Sequence, residues 1–256
     1  MASHIGGYYS TIKTSPRQKQ PFHWNIKNQE AIKLAEQIYC FMVAKQEELS
    51  IWLAYAKDII PNKTNKLQQK QINYRTMLIK RIRNVRINKN LVTKEDCDRY
   101  NKIIKCEFSS IDIAYLAGLI DAEGCFRLHR LIKKNRPNPT WATILEIGNT
   151  NTLFFPWLKN KFGGHITFVK SKDPKSKNYA VWYIMSSQLR LIINELIKYL
   201  IIKKPVCEKI IEFDKLIISN GGDRHSQIFK NAFKSNLIRR EEIFTEIQIL
   251  NAKGNH

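Results

Sequence analysis

Residues 115–126 read YLAGLIDAEGCF, and the reading of this stretch decides the fold. Up to Ile120 the side chains are apolar or small, and then Asp121 and Glu123 follow in quick succession. Ser109 or Ser110 can cap a helix that starts near Ile111, because a serine hydroxyl accepts from the free N–H groups of a first helical turn. Ala114, Ala117 and Gly118 give that helix a face of small residues, which lets a second helix approach backbone to backbone. A glycine inside a helix costs about 1 kcal/mol against alanine, so close contact is the expected reason for Gly118. The helix is expected to end near Ala122, with Gly124 as its C-terminal cap. Glu123 then lies at a helix C-terminus, where the last carbonyls already carry partial negative charge. A divalent cation resolves that conflict, since Mg²⁺ takes a carboxylate and can take neighbouring oxygens. Asp121 is open to two readings: a second metal ligand, or a helix-end residue that bonds backbone or pins the partner helix.

Charge narrows the partner. The 256 residues hold 43 Lys and Arg against 22 Asp and Glu, a net charge of +21 and a pI near 9.8. Small soluble domains usually carry a net charge of about 2–8. The excess points to a polyanion, nucleic acid before an anionic membrane. At 43% hydrophobic and 25% charged, the composition is that of a globular chain. No apolar run reaches the roughly 18 residues of a membrane span. The opening MASHIGGYYSTIK has neither the basic and apolar regions of a secretory signal nor the Arg-rich helix of a transit peptide. Cysteines 40, 97, 106, 125 and 207 form no C-x-x-C pair and lack His at zinc spacing, which reads as reduced thiols without a structural metal. Frequent Lys, Ile and Asn suggest an AT-rich gene of the kind found in organelle genomes, the mitochondrial before the chloroplast.

Part of the chain is written twice. GGYYSTIK (6–13) matches GGHITFVK (163–170), and a polar hairpin stretch follows each, SPRQKQ and SKDPKSKN. Residues 22–46 then align without gaps on 180–204: Trp24 falls on Trp182, Ile26 on Ile184, Ile38 on Leu196, Phe41 on Tyr199 and Lys45 on Lys203. The offset is constant, since 182 − 24 and 203 − 45 both give 158. Ala31, Leu34, Ala35, Ile38, Phe41 and Met42 recur at spacings of three and four, as do Leu189, Ile192, Ile193, Leu196, Tyr199 and Leu200, so each set is one apolar helix stripe. The segments before them alternate as strands. Ile166 and Phe168 share one face and His165, Thr167 and Val169 the other; Trp182 and Ile184 point opposite to Val181 and Tyr183.

Between the matched segments, Ile59 to Lys94 contains ten basic residues and no acidic one. Leu78, Ile82 and Val85 can seat a helix whose other face carries Lys80, Arg81 and Arg83. That helix is either a solvated basic face or a surface laid against phosphates.

LAGLIDAEG at 116–124 resembles the signature of the LAGLIDADG homing endonucleases. Further marks are FGG at 162–164 opening the third strand, Trp182 in the fourth, and RREEIFTEIQILNAKGNH (239–256), which is similar to the family's C-terminal helix and Asn-containing tail. The resemblance implies an α+β fold. Residues 109–218 would form a helix–strand–strand–helix–strand–strand–helix unit, whose curved antiparallel sheet makes a saddle about a pseudo-twofold axis. Two motif helices would pack at that axis through Ala114, Ala117 and Gly118. Each would deliver one carboxylate, here Glu123, to a shared Mg²⁺ site. Strand alternation from the motif then turns Arg127, His129, Thr167, Val181 and Tyr183 toward the DNA major groove. Asn149 takes the place of a polar residue that orients water, and Lys203 that of a basic residue near the scissile phosphate. Cys125 is a packing or base-contacting residue. Glu146 would put a carboxylate on the DNA face. The implied reaction is metal-assisted hydrolysis of duplex DNA.

Residues 1–60 read as a first repeat lacking its motif helix, 61–108 as a basic helical linker, and 109–256 as a complete repeat with a helical tail. A second polypeptide, a separately made first half or another copy, is expected to complete the assembly and supply the second carboxylate. The other reading of the same features is a lapsed relative that binds RNA, as an intron maturase or a component of an organellar ribosome.

Overall fold

A computed structural model of the chain describes residues 7–11, 22–43, 45–59, 68–87, 93–102, 107–132, 134, 139–151, 154–172, 176–218 and 227–253. Gly6, Cys106, the SPRQKQ stretch and the last three residues lie outside them. The chain divides into two compact units, 1–89 and 90–256. Among the described residues no helix is long and apolar enough to cross a membrane.

The first unit runs β1 (Tyr8–Thr11), β2 (Phe22–Asn25), α1 (Asn28–Tyr39), α2 (Gln46–Ile59) and α3 (Gln69–Ile87). The second runs α4 (Lys94–Asn101), α5 (Ser110–Glu123), β3 (Gly124–Leu131), β4 (Thr140–Asn149), α6 (Phe155–Phe162), β5 (His165–Val169), β6 (Tyr179–Met185), α7 (Ser186–Leu196), α8 (Lys204–Ile218) and α9 (Gln227–Lys253). From α5 to α7 the order is helix–strand–strand–helix–strand–strand–helix, as the resemblance implies. β3, β4, β6 and β5 lie side by side in that order, and every neighbouring pair is antiparallel. One face of this sheet buries Phe126, Leu145, Ile147, Ile166, Trp182 and Ile184 against the helices. The α+β class follows from this layering of helices on one side of an antiparallel sheet.

The motif helix begins where Ser109 caps it. The Ser109 hydroxyl accepts from the Asp112 N–H at 3.2 Å, and the Asp112 carboxylate accepts from the Ser109 N–H at 2.8 Å. Lys161 of α6 lies 3.1 Å from the same carboxylate. Burial pushes the Asp112 carboxyl up, but the Ser109 donors and Lys161 outweigh it and hold the group below its ordinary value. The helix ends at Glu123. Gly124 is not the left-handed cap expected from the sequence, for its φ is −81° and its backbone extended. Glycine serves close approach here: a Cβ would stand 2.6 Å from Ile120 Cα.

The repeat read from the sequence reappears in three dimensions. Tyr9 pairs with Trp24 as Ile166 pairs with Trp182, and Tyr8 with Asn25 as His165 with Tyr183. Gly7 and Gly164 have φ of +94° and +75°, and a Cβ on either would clash with the equivalent carbonyl, that of Asn25 or of Tyr183. Two non-glycine residues among those described have positive φ, Asn28 and Ser186, and they are separated by 158, as Trp24 and Trp182 are, while Gly7 and Gly164 are 157 apart. Residues of this kind rarely adopt that region, so both copies make the same forced turn from strand into helix. The match extends beyond the aligned sequence. α2 and α8 start 158 residues apart, as do α3 and α9. The aligned sequence ends at residue 204, whereas the helix starts keep the same spacing beyond it.

Leu78 of α3 is buried, and Arg75 donates to Asp58 of α2 at 2.5 Å. The apolar edge of α3 therefore belongs to the first unit. α4 belongs to the second, because the Asn101 side chain bonds both the N–H and the carbonyl of Ile166 on edge strand β5, each at 2.8 Å.

Candidate nucleic-acid interface and active site

Antiparallel pairing places the sheet's outer side chains in rows. Cys125, Glu146, Tyr183 and His165 form one row across all four strands, and Thr167 stands opposite Val181. Arg127 and His129 extend the face along β3, and both are exposed. Arg127 forms an ion pair with Glu146, and the His165 and Tyr183 rings lie 5.5 Å apart. The structure thus puts Arg127, His129, Thr167, Val181 and Tyr183 on a single face, with Glu146 among them. His165 belongs to that face as well. The alternation that turns Thr167 to this face turns His165 there as well.

At one end of this face lies the motif carboxylate. Glu123 is exposed at the last turn of α5, and the Asn149 side-chain amide donates to it. Asn149 is itself oriented, since its carbonyl oxygen accepts from the Asn151 N–H at 2.8 Å. The end of β4 thereby holds a hydrogen-bond donor on the carboxylate of α5.

Asp121 does different work. One of its oxygens accepts from the Ile201 N–H at 2.8 Å, and the other from the Ile202 and Lys203 N–H groups at 3.1 and 2.8 Å. These donors lead into the first turn of α8, where a carboxylate is favoured by the helix dipole. Both oxygens thus accept from backbone, the arrangement of the helix-end reading of Asp121. The cap also anchors Lys203, whose charge reaches the Cys125 thiol. Burial pushes that thiol up, as does Glu146, while Arg127 and Lys203 act in the opposite sense. Glu123, Asn149, Cys125 and Lys203 are therefore gathered at the end of the motif helix.

The small-residue face of α5 is narrower than expected. Ala117 is fully buried in the unit's own core, and Ala114 is half-buried. Gly118 is exposed, and a Cβ on it would meet nothing within 4 Å. Ile111, two turns earlier, is 56% exposed. Helical spacing puts Ile111, Ala114 and Gly118 on the face open to a partner, with Ala117 turned away. On α3, Lys80, Arg81 and Arg83 are all exposed, and Arg81 approaches Glu47 at 3.6 Å. Among the described residues no group of three or more His, Cys, Asp or Glu is arranged to hold a metal.

No protein-family model matches the sequence, and no curated protein matches it either. Solved structures do. The I-SmaMI LAGLIDADG homing endonuclease bound to cleaved DNA matches with a TM-score of 0.59 at 13% identity, covering 95% of this chain and 79% of that one. I-SmaMI bound to uncleaveable DNA gives 0.58 at 15%, covering 95% and 80%. The LAGLIDADG meganuclease I-AabMI bound to uncleaved DNA gives 0.58 at 14%, covering 97% and 81%. With the order of elements, the sheet topology and the placing of the motif helix, these matches show that the chain has the fold of the LAGLIDADG homing endonucleases.

Proposed function

We propose that this chain is a LAGLIDADG-type nucleic-acid-binding protein that lays the outer face of its four-stranded sheet in the major groove of duplex DNA. It would contribute one carboxylate, Glu123, to Mg²⁺-dependent strand cleavage. The observation that carries the reading is the exposed Glu123 at the end of the motif helix, held by Asn149 at the edge of the face that carries Arg127 and His129. The net charge of +21 supplies the attraction to phosphate.

The residues present fit half of a magnesium site. Mg²⁺ is commonly held by one or two carboxylates and keeps several of its waters. Glu123 offers one exposed carboxylate, while both oxygens of Asp121 accept backbone N–H groups. Bound there, the ion would supply the charge that stabilises a phosphodiester during hydrolysis. Asn149 positions the carboxylate, and Lys203 brings a cation to the same end of the sheet. A second motif helix seated on Gly118 would complete the pair of carboxylates.

In the presence of such a helix, Glu123→Gln should leave duplex affinity within about twofold and reduce cutting by at least about a hundredfold. Cutting at the wild-type rate by this variant would remove Glu123 from the mechanism. A second reading, RNA binding as a maturase or an organellar ribosome component, is supported by the basic, acid-free stretch from Ile59 to Lys94, which suits RNA phosphates as well as those of DNA. Affinities for duplex DNA and structured RNA at matched salt separate the two.

A further inference from the structure

Two side chains on the outer face of the second unit's sheet carry opposite charges. Cys125, Arg127 and His129 of β3 point to this face, and so does Glu146 of β4, which stands opposite Cys125. Of the strand residues on the face, Arg127 and Glu146 are the ones drawn from Asp, Glu, Lys and Arg. A carboxylate here weakens binding to every phosphate backbone alike. Such a cost is offset where the charge selects among targets.

Arg127 stands opposite Ile144, so it and Glu146 are diagonal neighbours across the β3–β4 ladder. Diagonal neighbours lie about 7–8 Å apart, within reach of long side chains. Arg127 Nη2 donates to Glu146 Oε2. The other nitrogens of the guanidinium and the second carboxylate oxygen can then meet a base edge. The two side chains are 55% and 23% exposed, and an ion pair so open to water is weakly held.

Side by side, the guanidinium and the carboxylate present donor, donor, acceptor. In the major groove a G·C pair presents N7 and O6 of guanine as acceptors, then N4 of cytosine as a donor. The two series are complementary. An A·T pair offers acceptor, donor, acceptor and a methyl group. Its adenine amino group would face the guanidinium, and its thymine oxygen the carboxylate. A reversed C·G pair likewise sets its donor against the guanidinium. Elsewhere on the face the series does not recur: His165 and Tyr183 are paired rings, and Thr167 stands opposite Val181.

We propose that Arg127 and Glu146 are a specificity-determining pair that selects one G·C base pair of the bound duplex, guanine under β3 and cytosine under β4. The inference rests on the proposed reading of the sheet face as the surface that meets duplex DNA.

The test is selection of bound sequences from randomised duplex DNA by the full chain, in EDTA so that no strand is cut. The unaltered chain should enrich guanine at one position by about tenfold or more over each other base. Arg127→Lys keeps the charge but loses the planar fork. It should lose that preference while keeping those at other positions and the salt dependence of binding. Glu146→Ala should weaken the same preference and bind unrelated duplexes more tightly, because a negative charge has left the face. Misfolding does not raise affinity, so this gain separates lost reading from lost structure. Preferences identical in all three proteins would overturn the inference and leave the proposed function standing. Failure of the unaltered chain to bind duplex DNA would overturn that function and the inference together.

Discussion

At the scale of single residues, Asp121 and Glu123 show how neighbours in one motif divide their work. Glu123 points outward at a helix end, while Asp121 reaches across some eighty positions to the loop before α8. Three N–H groups lose their acceptor if the Asp121 carboxylate is removed. Ile201 and Ile202 are exposed, so water can replace the carboxylate there, and what is lost is a helix cap. Asp121→Ala should therefore destabilise the chain by about 1 kcal/mol in urea unfolding. It should also speed amide exchange at Ile201, Ile202 and Lys203. Unchanged exchange at those three amides would show that the cap does not hold the loop in solution.

At the scale of elements, the two glycines of the motif helix predict opposite outcomes. Gly118 has open space around a would-be Cβ, so Gly118→Ala should stabilise the chain by up to about 1 kcal/mol through helix propensity. Gly124→Ala forces a Cβ into the backbone of Ile120. Overpacking of this kind typically costs about 1–3 kcal/mol, which thermal unfolding of the two variants would register as shifts of opposite sign. The pair α8 and α9 makes a different prediction. Lys209 lies 2.7 Å from Glu246, and Arg239 lies 2.8 Å from Glu246 and 2.6 Å from Glu212. Hydrogen bonds from Lys209 and Arg239 hold the Glu246 carboxyl low. Burial pushes Glu212 up, yet the same two donors outweigh it and hold it low as well. Carboxyls depressed in the folded state stabilise it above their unfolded pKa of about 4.3, and that stabilisation is lost as the pH falls further. Stability should therefore decline with acid below about pH 5, and Glu246→Gln should flatten the decline. Equal slopes for both proteins in acid titrations would show that the network contributes nothing.

At the scale of the whole molecule, the dominant property is charge. From Ile59 to Lys94 there are ten basic residues and no acidic one, and exposed Lys80, Arg81 and Arg83 present that charge on α3. Such a surface binds by displacing counterions. Log K should fall linearly with log salt, with a slope near −0.9 per neutralised phosphate on duplex DNA and about −0.7 on a single strand. Replacing Lys80, Arg81 and Arg83 together by Gln should reduce that slope by about 3 if all three meet phosphate. A slope unchanged by the triple substitution would place α3 outside the interface.

The sequence by itself determined what depends on near neighbours. The Ser109 cap, the apolar stripes and the alternation that turns Arg127, His129 and Thr167 to one side all follow from backbone periods of 3.6 and two. Offsets of 157 for the first strand and 158 for the second strand and helix likewise carried the repeated β-β-α unit, because duplicated segments keep their strongest packing positions, such as Trp24 and Trp182. The tertiary structure alone decided where distant segments meet. It seats Asp121 on α8, brings Asn149 to Glu123, turns Ala117 inward while Gly118 stays open, and assigns α3 to the first unit. Each of these rests on a contact between parts of the chain far apart in sequence. Local periodicity carries no information about which distant partner a side chain will find.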